Sequence, residues 1–221
     1  MNTRYKILLC ATKLFLEKGY KNTYVTMITN SLKISTGNLT FHFPTKEHIL
    51  AELIRELNAF QHQKDADNKQ SELSPVGAYL LELVMITSIS EVNANIRDLI
   101  AAAYTHAMPL EIIRENDTYR AMRIFGEFCP NWAETDFIQA ENVVSGIEYA
   151  MYRTENTSKL SFEQRMISGM DSIMKIYEVP ADVRRSIIDS VMATDYRGRG
   201  SRVFEEFSNY IVNILFDNQE Q

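Results

Sequence analysis

Residues 35–47 read Ser-Thr-Gly-Asn-Leu-Thr-Phe-His-Phe-Pro-Thr-Lys-Glu, and this stretch predicts a short helix followed at once by another. The hydroxyl of Ser35 can accept a hydrogen bond from a free backbone N–H at a helix start, so Ser35 is the predicted N-cap. Leu39 and Phe43 are four residues apart and give the helix one apolar side. Pro44 disfavours helical geometry at the preceding residue. The short helix therefore ends there, with one side that packs and another that can touch a partner.

The next helix begins beside this stop. Thr45 is well placed as its N-cap, and Lys46 follows in the first turn. The helix macrodipole disfavours a cation at that end unless an anion is brought there as well. A phosphate would accept hydrogen bonds from the free backbone N–H groups of this helix start and would pair with the Lys46 ammonium.

Two further helices are predicted upstream. The first has an amphipathic pattern that ends at Gly19, which we place in a left-handed C-terminal position with Tyr20 packing back on Phe15. Thr23 is the predicted N-cap of the second. The residues between this helix and residue 35 suit the turn of a helix-turn-helix motif. The apolar positions of the two helices are Ile7, Leu8, Ala11, Leu14, Phe15, Val25, Ile28 and Leu32.

Charge is divided unevenly along the 221 residues. The net charge is −6, yet residues 1–58 carry +4 and the remainder −10. This asymmetry fits a small basic module attached to a larger acidic body. No run of about 18 apolar residues is present and the N-terminus lacks a signal-peptide core, so we predict a cytoplasmic protein without a membrane anchor.

Residues 4–50 resemble the N-terminal domain of the tetracycline-repressor (TetR) family of bacterial transcriptional regulators. The matching motifs are ATKLFLEKGY at 11–20, Thr23 with Val25 and Ile28, STGNL at 35–39, and HFPTKE at 42–47 with Ile49 and Leu50. The resemblance implies an all-α fold with a three-helix helix-turn-helix DNA-binding domain at residues 1–50. A larger helical effector-binding and dimerisation domain would follow at residues 51–221.

The resemblance also implies which residues contact DNA. Thr36, Gly37 and Asn38 would face base edges, since Asn can pair with adenine in the major groove. Phosphates would be held by Thr40, His42 and Lys46, although the family usually has Tyr at position 40. The alternative for His42 is a packing role without a phosphate contact. The alternative for Asn38 is an ordinary surface position near a helix start. The full set of predicted DNA-binding residues is Thr23, Thr36, Gly37, Asn38, Thr40, His42 and Lys46.

The body of the chain is predicted to be helical throughout, without an alternating strand pattern. Arg197-Gly-Arg-Gly200 reads as a turn with solvated charges. For the helix at 202–216 we predict a dimer interface, since helix-turn-helix proteins commonly bind two half-sites; packing into the protomer's own core is the alternative. The apolar residues that would form this interface are Phe204, Phe207, Ile211 and Ile214. The other helices are predicted at 75–91, 95–107, 110–128 with a break near Asn116-Asp117, 136–153, 162–177 and 181–193.

A concentration of aromatic and methionine side chains predicts a cavity for an apolar or aromatic small molecule. A close-packed core without a cavity is the alternative. The candidate ligand-binding residues are Tyr104, His106, Met108, Met122, Phe125, Trp132 and Tyr149.

We find no catalytic or metal-ligand motif and predict neither enzymatic activity nor a cofactor. Cys10 and Cys129, the two cysteines, have no partner at metal-ligand spacing and are taken as reduced packing residues.

These observations favour a homodimeric, ligand-responsive transcriptional regulator, a repressor that a small molecule releases from its double-stranded DNA operator. The first alternative is a DNA-bound adaptor whose acidic helical body binds a protein rather than a small molecule. The second is an enzyme that uses the aromatic cavity.

Overall fold

The computed structural model describes residues 2–67, 73–153 and 159–217, and it describes side chains to residue 63 in the first range and to residue 211 in the last. These residues form helices and no strands, so the all-α prediction is confirmed. The described helices are α1 (Thr3–Lys18), α2 (Val25–Leu32), α3 (Thr36–His42), α4 (Lys46–Asp67), α5 (Pro75–Val92), α6 (Ala94–Thr105), α7 (Ala107–Phe125), α8 (Glu134–Arg153), α9 (Phe162–Ile176), α10 (Ala181–Met192) and α11 (Tyr196–Asp217).

The contacts divide the chain into two compact units. The first comprises Met1–Asp67, Asn93–Ile112 and Arg202–Gln221, and the second comprises Asn68–Val92 and Ile113–Ser201. In the first unit, α1 contacts α2, α3, α4 and α6. In the second unit, α8 packs on α5 and α9, and α10 packs on the same two helices. A domain boundary at residue 50 stays a prediction.

The helix-turn-helix core forms because the apolar positions of four helices converge. Ser35 caps α3 as predicted, with its Oγ accepting from the N–H of Asn38 at 3.1 Å. Thr45 caps α4 through a longer bond from the N–H of His48 at 3.4 Å. The fully buried side chains of this core include Ile7, Phe15, Ile28, Leu39, Phe43, Ile49 and Leu50.

The turn between α2 and α3 is closed by a left-handed lysine. Lys33 has φ 54° and ψ 43°, its N–H donates to the carbonyl of Asn30, and the N–H of Ile34 donates to the carbonyl of Thr29. This pair of bonds is a Schellman motif, in which glycine is the usual residue at the left-handed position. The lysine Cβ therefore strains the turn that aims α3.

Lys33→Gly should raise the free energy of unfolding by about 0.5–1 kcal/mol, because relief of left-handed strain exceeds the backbone entropy that glycine loses on folding. Urea unfolding followed by circular dichroism measures the change. Lys13→Gly, the same replacement inside α1, is the matched control and should lower the stability by about 0.5–1 kcal/mol. A stability loss for Lys33→Gly of the same size would contradict this account of the turn.

Two local predictions about the N-terminal region need correction. Thr23 does not cap α2: the N-cap is Tyr24, which makes no side-chain capping bond. Gly19 has the expected positive φ of 84°, but its ψ of 155° lies outside the left-handed helical region. Tyr20 nevertheless packs on Phe15 as predicted, with ring centroids 5.2 Å apart. A Cβ on Gly19 would lie 3.0 Å from the carboxylate of Asp98. Both the positive φ and this close approach therefore favour glycine at position 19.

Two predictions about the body are wrong. The predicted break near Asn116-Asp117 is absent, and α7 is continuous there. The Asn116 amide donates to the Asp117 carboxylate, so it does not compete for the backbone hydrogen bonds of the helix. The predicted turn at 197–200 lies inside α11. Asp195 starts this helix by accepting from the N–H of Gly198 at 2.9 Å. A Cβ on Gly200 would lie 3.2 Å from the Met85 carbonyl, so this glycine permits close packing on α5.

Among the described residues, α5 is the one helix that is long and apolar enough to cross a membrane. Its 18 residues have a mean hydropathy of 1.3, which is sufficient by length and composition to cross a membrane. Just over half of the helix, 56%, is buried inside the protein. A core helix of a soluble protein has the same properties.

The last helix packs partly within its own unit. The Phe60 ring of α4 lies 5.5 Å from Phe207 and 5.2 Å from Tyr210, and Ile211 is buried. The Ile214 side chain lies outside the described residues. Dimerisation through α11 therefore stays a prediction.

Candidate functional site

One side of α3 is open to solvent and the other is fixed in the core. Leu39 and Phe43 are buried, whereas the opposite side exposes polar side chains and one aromatic ring. Phe41 is 84% exposed, an unusual position for a large apolar side chain. The exposed residues are Thr36, Gly37, Asn38, Thr40 and Phe41.

Arg4 fixes the end of α3. Its guanidinium donates to the carbonyl of His42 at 3.0 Å, pairs with Glu52 at 2.9 Å, and lies 4.4 Å from the centre of the Phe43 ring. A guanidinium can make all three contacts together because its donors spread in a plane. Arg4 thereby connects α1, α3 and α4 and holds the exposed side of α3 in place.

Lys46 ties the start of α4 to the turn between α1 and α2. Its ammonium donates to the carbonyls of Tyr20 at 2.7 Å and Thr23 at 2.9 Å, and lies 4.0 Å from the centre of the Tyr20 ring. Partial burial lowers the pKa of Lys46. An ammonium has three protons, so one remains for a phosphate. The predicted phosphate contact would thus be made by a side chain that also positions two helices.

The other predicted DNA-binding residues differ in accessibility. Thr23 is fully buried, and its hydroxyl donates to the carbonyls of Leu14 at 3.2 Å and Gly19 at 2.8 Å. The Thr40 hydroxyl is exposed and donates to the carbonyl of Gly37 at 3.2 Å. His42 is half-buried, with its ring 5.1 Å from that of Phe41. Thr40 is thus exposed beside Asn38, whereas Thr23 is inaccessible and His42 is accessible only in part.

Side chains of α6 bond the C-terminal end of α1. The Asn95 amide donates to the carbonyls of Leu16 and Glu17, at 3.2 and 2.7 Å, which are among the C-terminal carbonyls that a helix leaves without partners. Asp98 accepts from the N–H of Lys21 at 2.7 Å. The helix-turn-helix region is therefore held by side chains from α6 as well as by its own core.

The second unit contains a cluster of three carboxylates, one half-buried and two buried, which we call the acidic core cluster: Asp117, Glu141 and Glu148. One oxygen from each lies within 4.8 Å of the others. Tyr79 donates to Glu148 and Tyr177 donates to Glu141, both at 2.8 Å. Glu141 and Glu148 are buried, so two acidic side chains lie in the interior of this unit.

Burial and mutual repulsion disfavour charge in this cluster. Burial is the main cause that raises the pKa of Glu141, followed by the neighbouring charges of Glu148 and Asp117. Burial likewise raises the pKa of the Tyr79 and Tyr177 hydroxyls, which therefore stay protonated as donors. The acidic core cluster can lower its free energy by holding a proton or by meeting a cation.

Aromatic rings pack on the two tyrosines that bond the acidic core cluster. Phe125 stacks on Tyr177 with ring centroids 4.2 Å apart and meets Tyr79 edge-on at 5.8 Å. Trp132 and Phe137 lie 6.0 and 6.2 Å from Tyr177. Carboxylates and rings thus share one interior region.

The structure separates the candidate ligand-binding residues into two groups. Tyr104, His106 and Met108 belong to the first unit, where the His106 ring lies 5.3 Å from that of Tyr20. Phe125 and Trp132 meet at Tyr177 in the second unit. Met122 and Tyr149 are half-buried residues of that same unit.

Sequence reasoning missed several residues of both regions. Arg4 and Phe41 were not predicted beside α3, and Tyr177 and the three carboxylates were not predicted in the body. The exposed aromatic residue could have been found from its position opposite Leu39 and Phe43 on a short helix. The carboxylates gave a weaker signal: Glu141 and Glu148 are seven residues apart, which places them on one side of α8.

The comparisons with known proteins agree with the geometry of α1 to α4. Residues 7–53 match the family described as bacterial regulatory proteins, tetR family. The HTH-type transcriptional regulator QacR of Staphylococcus aureus (strain Mu50 / ATCC 700699) is 28% identical over 161 residues, covering 66% of this chain and 85% of that protein. The HTH-type transcriptional regulator LmrA of Bacillus subtilis (strain 168) is 34% identical over 94 residues, covering 41% and 50%.

Among solved structures, a gamma-butyrolactone receptor (ArpA like protein) is similar with a TM-score of 0.46 and 16% identity, over 86% of this chain and 94% of that one. The family match covers all of α2 and α3, including the capped, exposed helix and the turn that precedes it. Residues 7–53, which include α2 and α3, are therefore similar to the tetR family of bacterial regulatory proteins.

Proposed function

We propose that this chain is a cytoplasmic homodimeric repressor that a small molecule releases from operator DNA. The observation that carries the proposal is the exposed side of α3, which Arg4 and the buried Leu39 and Phe43 hold in place. The match of residues 7–53 to the tetR family of bacterial regulatory proteins supports it. Two such helices in a dimer would enter successive major grooves about 34–36 Å apart. Asn38 and Thr36 read bases in this proposal, and Thr40, His42 and Lys46 contact phosphates.

The effector in this proposal is apolar or aromatic and binds among the rings around Tyr177 and Phe125. Its binding favours a conformation in which the two α3 helices are wrongly spaced, so operator affinity falls. Helix α6 contacts both α1 and α4 and is the proposed route by which the change reaches the helix-turn-helix region. The chain acts by binding alone, without catalysis. The match of residues 7–53 to the tetR family, together with the two similar transcriptional regulators, favours this function over the protein adaptor.

A fluorescence anisotropy titration tests the proposal. The purified chain is titrated into a labelled duplex from its own upstream region, at about 50 and about 200 mM salt, beside a scrambled duplex of equal length. We expect specific binding that weakens by about 10³–10⁵-fold over this range if six to ten phosphates are contacted. Equal affinity for both duplexes, or affinity that does not respond to salt, would overturn the proposal.

Thr40→Tyr should tighten operator binding by about 2–10-fold, because the family's usual tyrosine would add a phosphate contact on the exposed side of α3. The gain should be similar on operator and scrambled DNA, since phosphate contacts carry no sequence information. Thr135→Tyr, an exposed position on α8, is the control and should change neither affinity. Unchanged or weaker binding by Thr40→Tyr would mean that this chain sets its helix at another angle to the groove.

A further inference from the structure

Helix α11 contacts α4 through aromatic rings. Phe60 of α4 is buried, and its ring centroid lies 5.5 Å from that of Phe207 and 5.2 Å from that of Tyr210. The rings of Phe207 and Tyr210 lie 6.5 Å apart, and Ile211 beside them is buried. Rings at these separations attract each other. We call Phe60, Phe207 and Tyr210 the ring contact between α4 and α11.

The ring contact extends along α4 to an acidic side chain. Glu56 precedes Phe60 by four residues, so the two lie on the same side of the helix. Burial raises the pKa of Glu56, and the charge of Glu52 raises it further. Burial, followed by the Glu56 charge, raises the pKa of the Tyr210 hydroxyl. The ring-bearing side of α11 therefore faces about one turn of α4.

The first half of α4 belongs to the helix-turn-helix core. Ile49 and Leu50 are fully buried there, and Arg4 pairs with Glu52 at 2.9 Å. Phe60 follows Leu50 by ten residues, which is about 15 Å along an α-helix. A helix transmits displacement as a rigid element over such a length. The position of α4 at Phe60 thus sets the orientation of the core that carries α3.

The start of α11 is fixed by contacts of its own. The Arg197 guanidinium lies 3.3 Å from a carboxylate oxygen of Glu91 in α5 and 4.8 Å from the centre of the Phe162 ring. A Cβ on Gly200 would lie 3.2 Å from the Met85 carbonyl, so the two helices approach each other closely there. The helix is therefore held before the residues of the ring contact begin.

The rings of α11 already have partners within one protomer. Phe207 and Tyr210 are half-buried against Phe60, whereas Val203 is the exposed large apolar residue among the described side chains of α11. These contacts favour a role for the rings on the protomer's own α4 over an interface with a second copy.

We propose that α11 is a brace for α4, in which Phe207 and Tyr210 are positioning residues that hold the helix-turn-helix core at the orientation required for operator binding. The role rests on the proposed function, to which it adds the helix that orients the DNA-reading unit. The two rings touch no DNA. They act through Phe60 and α4.

Operator spacing provides the test, because half-site separation follows from protein geometry. The full-length chain is titrated by fluorescence anisotropy into its operator duplex, into the same duplex with one base pair inserted or removed at the centre, and into a scrambled duplex. The variants are the double substitution Phe207→Ala, Tyr210→Ala and the control Val203→Ala, an exposed apolar position on the same helix. Size-exclusion chromatography with light scattering measures the oligomeric state of each.

The double substitution should weaken operator binding by at least about 10-fold, the loss that follows when the binding-competent orientation falls to about a tenth of the population. Binding to the scrambled duplex should change by less than about 2-fold, because phosphate contacts carry no sequence information. The penalty for an inserted or removed base pair should shrink. Val203→Ala should match the unmodified chain in every titration.

Several results would overturn the brace. They are an unchanged operator affinity, equal losses on operator and scrambled DNA, and an unchanged penalty for altered spacing. Dissociation of the homodimer by the double substitution would place the rings between two copies and would overturn it as well. If circular dichroism shows that the double variant does not fold, Tyr210→Ala alone decides the same outcomes, with an expected loss of about 3-fold.

A distance measurement without DNA separates the two proposals. Spin labels are attached at two exposed positions, Lys13→Cys in α1 and Glu115→Cys in α7, in a Cys10→Ala background. Dilution with unlabelled chain restricts double electron–electron resonance to distances within one protomer. Loss of the two rings should broaden or shift the distance distribution, and Val203→Ala should leave it unchanged.

The two proposals fail separately. An identical distance distribution in the double variant would overturn the brace, whether or not the chain binds an operator. A distribution that depends on the two rings, in a chain without operator specificity, would contradict the proposed function alone.

Discussion

Phe43→Ala should lower the free energy of unfolding by about 3–5 kcal/mol and abolish operator binding, the largest effect expected in the helix-turn-helix region. Phe43 is 1% exposed at the end of α3, and Arg4 lies over its ring while bonding the neighbouring carbonyl of His42. Removing the ring leaves a cavity and releases the guanidinium. Urea unfolding measures the stability, and anisotropy titration measures the binding.

Phe41→Ala is the matched control on the same helix. Because Phe41 is 84% exposed, its loss should change the stability by no more than about 0.5 kcal/mol. Operator binding should nevertheless weaken, because the ring belongs to the side of α3 that faces DNA in the proposed function. If Phe43→Ala unfolds at the same urea concentration as the unmodified chain, Phe43 does not hold α3 as described.

Glu141→Gln should stabilise the protein without any ligand, and the gain should grow with pH. Burial, Glu148 and Asp117 raise the pKa of Glu141 above its ordinary value of 4.5 in the folded state, whereas the unfolded chain has the ordinary value. The folded protein therefore keeps a proton that the unfolded chain loses, so stability is complete below pH 4.5 and declines as pH rises toward the raised pKa. Glutamine cannot ionise and escapes this loss.

Glu141→Gln should raise the free energy of unfolding by about 1–3 kcal/mol at about pH 9 and by close to zero at about pH 5. The larger figure is the typical cost of a buried polar or charged group without a compensating partner. The groups that face Glu141 are Asp117, Glu148, Arg114 and the tyrosines Tyr79 and Tyr177. Thermal unfolding across this pH range measures the difference between the variant and the unmodified chain. Glu115→Gln should give no pH-dependent difference. A loss of stability in Glu141→Gln at alkaline pH would contradict the burial of an uncompensated acid.

The helix-turn-helix region could be predicted because its signals are local. A cap at Ser35, a proline at 44 and apolar spacing within one helix act over a few residues, and the structure confirms α3 between them. The tertiary bonds of the same region could not be predicted. Arg4 bonds a carbonyl 38 residues away and Lys46 bonds one 26 residues away, and no local pattern indicates such pairs.

The acidic core cluster was missed for the same reason. Its carboxylates and the tyrosines that bond them come from different helices: Asp117 from α7, Glu141 and Glu148 from α8, Tyr79 from α5, and Tyr177 from the end of α9. Each looks ordinary in its own segment, and only packing brings the carboxylates within 4.8 Å. The start of α11 shows the opposite error. The two glycines at 198 and 200 favoured a turn locally, but the Asp195 cap and close packing on Met85 keep the segment helical.

Hydroxyl-radical footprinting of the chain on its own upstream DNA tests the central claim most directly. A dimer that places α3 of each protomer in the major groove should protect two short patches separated by one helical turn, about 34–36 Å. The double substitution Asn38→Ala, Thr36→Ala should remove both patches together while leaving the fold intact, because both residues are exposed. A uniform footprint without paired patches, or paired patches that survive the double substitution, would contradict the assignment of α3 as the DNA-reading helix.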